Sequence, residues 1–468
     1  MLRFYNSLTR RIENFAPIKE GKVGIYSCGP TVYWNQHIGH MYAYVQWDVL
    51  VRLLRFSGYK VTWIMNITDV GHMTSDEDIG EDKMEKGAKR EGISVWEIAK
   101  KYTKQFTNSL EALNITPPDV LTRATEHIVK QIQLIEQMEN RGFTYRTQTG
   151  IVFDTSKFSD YAKFANLDLD LQVAGSRVEV DPEKKSPWDF MLWITNQPKH
   201  IMQWDSPWGR GFPGWHIECT AMSTQYLGDK FDIHTGGIEH IPVHHTNEIA
   251  QGFGAFGAQT ANYWLHNGHL LINNQKMSKS KGNMITVQDL IKERKNPLAL
   301  RYLILNSHYK KGMNFTNEAL NNAEKALKNL NSIVADLKTK HDDERVALSE
   351  DKLAKIDNFK SKFTEAINND LNTPQALSVL WEVAKSSISS TDKLDLILLF
   401  DEVLGLKMLD VKTPSIAEIP AEIAALAQKR FQLRSDGKYD EADKLRQEIE
   451  AKGFTVKDTS QATEVVKK

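Results

Sequence analysis

Three consecutive stretches near the start of the chain restrict its fold more than any other feature. "GKVGIYSCG" (21–29) is a short, mostly apolar run that ends in a turn, as a buried strand does. "MYAYVQWDVLVRLLRFSG" (41–58) carries apolar residues at helical spacing and stops at Gly58. "YKVTWIMNIT" (59–68) is rich in β-branched and aromatic residues and reads as a second strand. Strand, helix, strand at this spacing is a βαβ unit with a right-handed crossover. The N-terminal part is therefore expected to be α/β around a parallel sheet. The same alternation resumes at "GWHIECTAMSTQYLG" (214–228, helix) and "KFDIHTGG" (230–237, strand into a glycine turn).

With 468 residues the chain is too long for one ordinary core, so two to four domains are expected. Between the two α/β stretches, residues 116–205 read as an insertion holding "TPPD", a helix and strand-like pieces. "NYWLHNGHLLINNQKMSKSKGN" (262–283) reads as a strand or hairpin that ends in a basic loop. "SDEDIGEDKMEKGAKREG" (75–92) reads as a solvated loop leading into a helix near "SVWEIAKKYTKQFTNSLEAL" (94–113). From about Asn314 the pattern turns to amphipathic helices, an all-α bundle. "VKTPSIAEIP" (411–420) is a linker, and the tail reads as two short helices and a final strand. The divisions are thus 1–115, 116–205, 206–313, 314–410 and 411–468.

No run reaches the roughly 20 apolar residues that span a bilayer, and the N-terminus has no apolar signal core. No membrane association and a cytoplasmic location are expected. Two cysteines make no disulfide framework, which fits a reducing compartment. The net charge of −1 argues against non-specific nucleic-acid binding over the whole surface but leaves room for a local basic face.

His37-Ile38-Gly39-His40 stands where a strand hands over to a helix. Helix N-termini present free N–H groups and partial positive charge, which suit phosphate. His37 and His40 share one face of a helical turn, and Gly39 lets a flat base or ribose approach the backbone. Taken alone, these are equally two surface histidines and a helix-start glycine. Lys276-Met277-Ser278-Lys279-Ser280 is a cationic loop that can neutralise charge as pyrophosphate leaves a triphosphate. Taken alone, it is also an ordinary solvated loop. Cys28, Cys219, His244 and Glu248 offer two thiolates, an imidazole and a carboxylate, a reasonable zinc set. His244 and Glu248 are four apart and face together on a helix. Nothing local brings Cys28 and Cys219 together, and two small buried hydrophobes would look the same.

The two motifs together, in this order, resemble the class I aminoacyl-tRNA synthetases. "CGPTVY", "PGWHIEC", "DIHTGG", "HH" with "NEIAQ", "WLHNGHLLINNQKMSKSKGN", "RATEHI", "DFMLW", "NNDLNTPQAL" and "YDEADKLRQEIEAKGFTVKDT" resemble the cysteinyl-tRNA synthetase family over nearly the whole chain. The resemblance implies a Rossmann-like parallel-sheet catalytic domain carrying the insertion (a connective peptide), then a helical tRNA-binding bundle and a small α+β anticodon-binding domain. It implies activation of L-cysteine with ATP, then transfer to tRNA(Cys), by a monomer. Zn2+, one per chain, falls on Cys28, Cys219, His244 and Glu248, and Mg2+ accompanies ATP. Catalysis falls on His37, His40, Lys276 and Lys279, and ATP contacts on His37, Gly39, His40 and Lys279. Cysteine contacts are expected from Gly29, Thr31, Thr68 and Trp215.

Zinc explains why a cysteine-poor chain keeps Cys28. A pocket sized by packing discriminates small changes only about 10- to 200-fold. A soft thiolate binds zinc well, and a serine hydroxyl binds it poorly. No editing domain is then needed. "NITDVGH" and "GGIEHIPVHHTNE" depart from the commonest family pattern, which leaves the roles of Asp69 and Glu239 open, along with those of His72, His234 and His245. Two alternatives stand beside this reading: a ligase joining cysteine to an amino-sugar, which would lack the tail, and a non-catalytic RNA-binding relative.

Overall fold

A computed structural model describes residues 1–71, 82–166, 183–277, 282–340, 350–413, 420–458 and 463–467. The three opening stretches form the expected unit: strand β1 (Lys22–Ser27), helix α1 (Ile38–Phe56) and strand β2 (Lys60–Ile67). Strands β3 (Val120–Arg123), β4 (Phe231–Gly237) and β5 (Ala261–Asn267) complete a five-stranded parallel sheet in the order β5-β4-β1-β2-β3. Every residue of β4 is buried, Asp232 and His234 included, as suits a strand with elements packed on both faces. The chain runs from β1 to β2 on one side and returns to β4 on the other. The order in which strands are added therefore reverses between β1 and β4. A crevice opens beyond the carboxyl ends of strands at such a point, and ligands bind there.

Two boundaries differ from the sequence reading. Val120–Arg123, assigned to the insertion that began at 116, pairs with β2 and is the edge of the main sheet. Gly211–Pro213, assigned to the second α/β stretch, is the last strand of a separate antiparallel sheet with Thr144–Thr147, Gly150–Phe153 and Phe190–Thr195. Both strands are four residues or shorter. Their membership comes from partners remote in sequence, which a local pattern does not carry.

Helix α2 (Lys83–Glu91) falls in the stretch read as a solvated loop, ahead of the expected helix, Val95–Ala112. Helices α3 (Trp215–Leu227) and α4 (Thr246–Phe256) pack together behind the sheet, and a π-helical turn, Ile241–His245, leads into α4. Helix α5 (Pro297–Leu305) leads to the bundle Asn317–Thr339, Glu350–Asn368, Thr373–Lys385 and Ser390–Leu404. The tail is two helices, Ala421–Ser435 and Tyr439–Ala451, and an antiparallel pair, Phe454–Asp458 with Thr463–Lys467, where the sequence reading had one strand.

One buried cation joins three of these parts. The Arg301 side chain, on α5, has no exposed surface. It donates to Asp48 Oδ2 on α1 (2.6 Å), to the carbonyls of Leu113 and Asn114 (3.1 Å each), and to the Leu404 carbonyl at the end of the bundle (2.7 Å). Gly405 has φ 66°, and a Cβ there would sit 2.5 Å from Arg301 Nη2. No described helix is long and apolar enough to cross a membrane.

Candidate active site

The crevice beyond β1 and β4 is a cavity of about 520 Å³. Cys28, Gly29 and Thr31 line it from the end of β1, and Gly236, Gly237, Glu239 and His240 from the end of β4. His37, Gly39 and His40 line another part, with Lys276 and Met277.

The histidine turn is built as a helix cap. His37 is the N-cap of α1, and its Nδ1 accepts the Gly39 N–H at 3.1 Å. His40 Nδ1 accepts the His37 N–H at 3.3 Å. The two imidazoles thus form a reciprocal capping box, the arrangement usually made by Ser or Thr with Glu or Gln. Their rings stack 3.7 Å apart. Since each neutral ring accepts at Nδ1, its proton is assigned to Nε2. The turn therefore offers two parallel N–H donors at the positive end of a 19-residue helix. A Cβ on Gly39 would lie 2.4 Å from Met277 Cε, the movable end of a flexible side chain, and 2.9 Å from His37 Nδ1, so the turn is tightly packed here. The Ile38 N–H bonds the Ile285 carbonyl at 2.8 Å, which ties the far end of that loop to the turn. Lys276 is exposed in the short strand Gln275–Lys276. Lys279 lies outside the described residues, as does His72.

Cys28, Cys219, His244 and Glu248 come together: one ligand atom from each lies within 4.8 Å of all the others. Sheet order makes this possible by setting β4, and the turn after it, beside β1. Of the four, only Cys28 lines the cavity, and the other three stand buried behind it. His244 Nε2 and Glu248 Oε1 are 3.1 Å apart without the alignment of a hydrogen bond. Two sulfurs, an imidazole nitrogen and a carboxylate oxygen gathered this closely suit a cation. Burial pulls the His244 imidazole down, but the Glu248 and Cys219 charges overcome it and raise it to about 10. Burial raises the Glu248 carboxyl, while His234 and His244 bring it down to about 2. The Cys28 hydrogen bond draws Cys219 down to about 6. A second set, Cys28, His234, His245 and Glu248, also converges within 4.8 Å. It offers one sulfur in place of two, the poorer match for a soft or borderline metal.

Around the cluster, His234 Nε2 is 2.9 Å from Glu248 Oε2, and His216 Nδ1 is 2.9 Å from His244 Nδ1. His245 Nε2 is 3.3 Å from Cys28 Sγ, and its Nδ1 is 2.7 Å from His266 Nε2. Such outer contacts fix ring orientation at metal sites. The sequence reading gave His234 and His245 no role, and passed over His216 and His266 although both lie inside motifs it quoted.

Trp215 lines the cavity with its ring 4.7 Å from the His244 ring. Thr68, expected at the pocket, stands one layer behind it, 1% exposed. The Gly29 N–H donates to Asn66 Oδ1 (2.7 Å), Asn66 Nδ2 to Thr68 Oγ1 (3.1 Å), and Thr68 Oγ1 to Glu218 Oε2 (3.1 Å). This chain of bonds ties the Cys28 loop to β2 and α3. Asp69 turns away from the cavity and accepts the Thr125 N–H (3.0 Å) and hydroxyl (2.8 Å). Glu239 Oε2 is 3.6 Å from His269 Nδ1 at the rim. Lys83, Tyr33 and Trp34 also line the wall, unremarked in the sequence.

Residues 14–325 match the family described as the tRNA synthetases class I (C) catalytic domain. A cysteine–tRNA ligase of Treponema denticola is 45% identical over an alignment that takes in 99% of either chain. The chain belongs to the cysteine–tRNA ligase family. Family members from Burkholderia lata (44% identical; 98% of this chain, 95% of the relative) and Thermus thermophilus (38%; 98% of each) agree. Residues 362–389 match the DALR domain, and residues 417–465 match the cysteinyl-tRNA ligase anticodon binding domain. Among solved structures, methionyl-tRNA synthetase of Mycobacterium tuberculosis bound to methionyl-adenylate superposes with a TM-score of 0.59 at 17% identity. It covers 84% of this chain and 92% of that one, a likeness of fold. The family is one of aminoacyl-tRNA synthetases, ligases of protein biosynthesis.

Proposed function

We propose that this chain is a cytoplasmic, monomeric cysteine–tRNA ligase that joins L-cysteine to tRNA(Cys) through cysteinyl-adenylate. The observation that carries this reading is the shared cavity: Cys28, which converges with the buried Cys219, His244 and Glu248, lines one part, and the stacked His37 and His40 line another. Cys28, Cys219, His244 and Glu248 would hold one zinc ion. Zinc supplies a soft site for the substrate thiolate and lowers the thiol pKa. Trp215 walls the pocket, Gly29 and Thr31 shape its floor, and Thr68 positions Gly29 through Asn66. His37 and His40 direct their Nε2–H groups at the phosphates of MgATP, over the backbone of Gly39.

The cysteine carboxylate attacks the α-phosphorus, and pyrophosphate leaves. Lys276 and Lys279 neutralise the charge that gathers on pyrophosphate. The terminal ribose hydroxyl of tRNA then takes the cysteinyl group and releases AMP. No covalent enzyme intermediate is needed, so the catalytic power lies in positioning and fixed charge. The bundle and the tail (314–410 and 411–468) contact the tRNA stem and anticodon, where unstacked bases can be read. The match of residues 417–465 supports this over the amino-sugar ligase.

ATP–pyrophosphate exchange tests the reading, with cysteine or serine, before and after chelation, and with zinc assayed. The expected result is exchange that prefers cysteine by more than the roughly 200-fold that packing can give and falls as zinc is removed. Exchange that serine supports nearly as well refutes the metal's role in selection. Tight zinc binding with no exchange refutes the enzyme.

A further inference from the structure

We propose that Lys83 is a further substrate-contacting residue of this site, its ammonium holding the carboxylate of the bound amino acid. The proposal rests on the function given above and assigns a residue which that reading leaves out.

Lys83 lines the same cavity as Cys28 and the two histidines. Its Nζ lies 5.4 Å from the centre of the Trp215 ring, and that ring is 4.7 Å from the His244 ring. The ammonium therefore belongs to the metal part of the cavity. Lys276 belongs to the histidine part, next to Met277, whose Cε reaches Gly39. The two lysines on the described wall are thus divided between its two parts, and Glu239 is the one acidic side chain there. Lys276 stands near the leaving pyrophosphate. The nearer anion for Lys83 is the amino-acid carboxylate, only a few bonds from the sulfur that the cluster holds.

The helix that carries Lys83 is fixed at both ends. At its start Asp82 caps α2 through the Glu85 N–H (2.8 Å) and pairs with His200 Nε2 (2.6 Å). His200 stacks on Phe212 with ring centres 3.8 Å apart, and the Ile201 N–H donates to Glu85 Oε1 at 2.7 Å. These bonds attach α2 to the insertion. Toward the other end, Arg90 stacks over Trp34 at 3.6 Å and donates to the Tyr33 carbonyl at 3.2 Å. A Cβ on Gly87 would stand 3.0 Å from that carbonyl, so the helix lies directly on the loop between Cys28 and His37. Lys83 is the first residue of this braced helix, so its position on the cavity wall is set by the contacts at both ends. Lys83 binds and orients; it enters no bond-making step.

The test compares wild type with Lys83→Met and Lys83→Arg in ATP–pyrophosphate exchange. Zinc content and thermal unfolding are followed for each. Cysteamine, which has the thiol and the amine but no carboxylate, serves as a competitive ligand. Loss of one charge-assisted hydrogen bond should raise the cysteine KM about 10- to 100-fold in Lys83→Met. The ATP KM, zinc content and cysteamine inhibition should stay near wild type, and Lys83→Arg should recover most of the loss. Equal weakening of cysteine and cysteamine overturns the proposal and leaves a structural lysine, as does an unchanged cysteine KM. If Lys83→Met fails to fold, Lys83→Arg and wild type decide the matter. Wild type that binds cysteine no better than cysteamine overturns it too. Wild type with no cysteine-dependent exchange at all is a different failure, that of the function itself.

Discussion

Replacing Arg301 with Met should destabilise this protein by about 4–5 kcal/mol at neutral pH. The magnitude follows from what the substitution leaves behind. Asp48 is fully buried and keeps only Arg52 (2.8 Å) and the Thr116 N–H (2.8 Å) as partners. Removing one member of a buried ion pair costs about 3–5 kcal/mol, and the surviving Arg52 puts this case near the lower figure. The Leu113 and Leu404 carbonyls also lose this donor, at about 1 kcal/mol each. Burial works to raise the Asp48 carboxyl, yet Arg301 and Arg52 hold it below the usual range. The pair therefore contributes its stability above the unfolded carboxyl pKa of about 3.9 and loses it as pH falls through the folded value. The gap between wild type and Arg301→Met should be full at pH 7 and should shrink on acidification below about pH 4. Urea unfolding followed by tryptophan fluorescence measures it, with Asp48→Asn and the double variant completing a cycle. The double variant should recover about 2 kcal/mol or more relative to additivity. A loss under about 1 kcal/mol in Arg301→Met, or strict additivity, would refute the reasoning.

The capping role of the histidines separates stability from chemistry. His37→Asn keeps a side-chain acceptor for the Gly39 N–H and should stay within a few tenths of a kcal/mol of wild type, whereas His37→Ala should lose about 1 kcal/mol. Both should lose about 100- to 1,000-fold in exchange rate, because both lack the Nε2 donor; calorimetry and exchange on the same preparations check this. Gly29→Ala is expected to abolish zinc retention and exchange together, since its Cβ would lie 1.6 Å from the Asn66 carbonyl oxygen. A variant that retains full zinc by atomic absorption contradicts that geometry.

The periodic parts of the fold were legible in the sequence. Helical spacing in α1 and the apolar run of β1 carry their own signal, because burial on one face or both imposes it. Val120–Arg123 does not carry such a signal, since its place comes from β2 more than 50 positions earlier. The site divides in the same way. His244 and Glu248 meet through local helical geometry, which spacing predicts. Cys28 and Cys219 meet only because α3 packs against β1 and β2, and family resemblance, not spacing, pointed there. The histidine turn was readable as a helix start. That the same rings cap the helix was not, because imidazoles rarely serve as both members of a capping box. Lys83 sits in a charged run, where a single lysine has no distinguishing neighbour in sequence, and only the packing of α2 singles it out.

The separation of the two thiols has a consequence during synthesis. Cys28 leaves the ribosome 191 positions before Cys219 (219 minus 28), and the whole insertion lies between them. At about 5–20 residues per second, the first thiol waits about 10–40 s for its partner. Throughout that time Cys28 is an unprotected thiol on an unfinished sheet, open to oxidants. The other two proposed ligands, His244 and Glu248, emerge later still, so a metal site held by all four residues could be completed only once position 248 has been made.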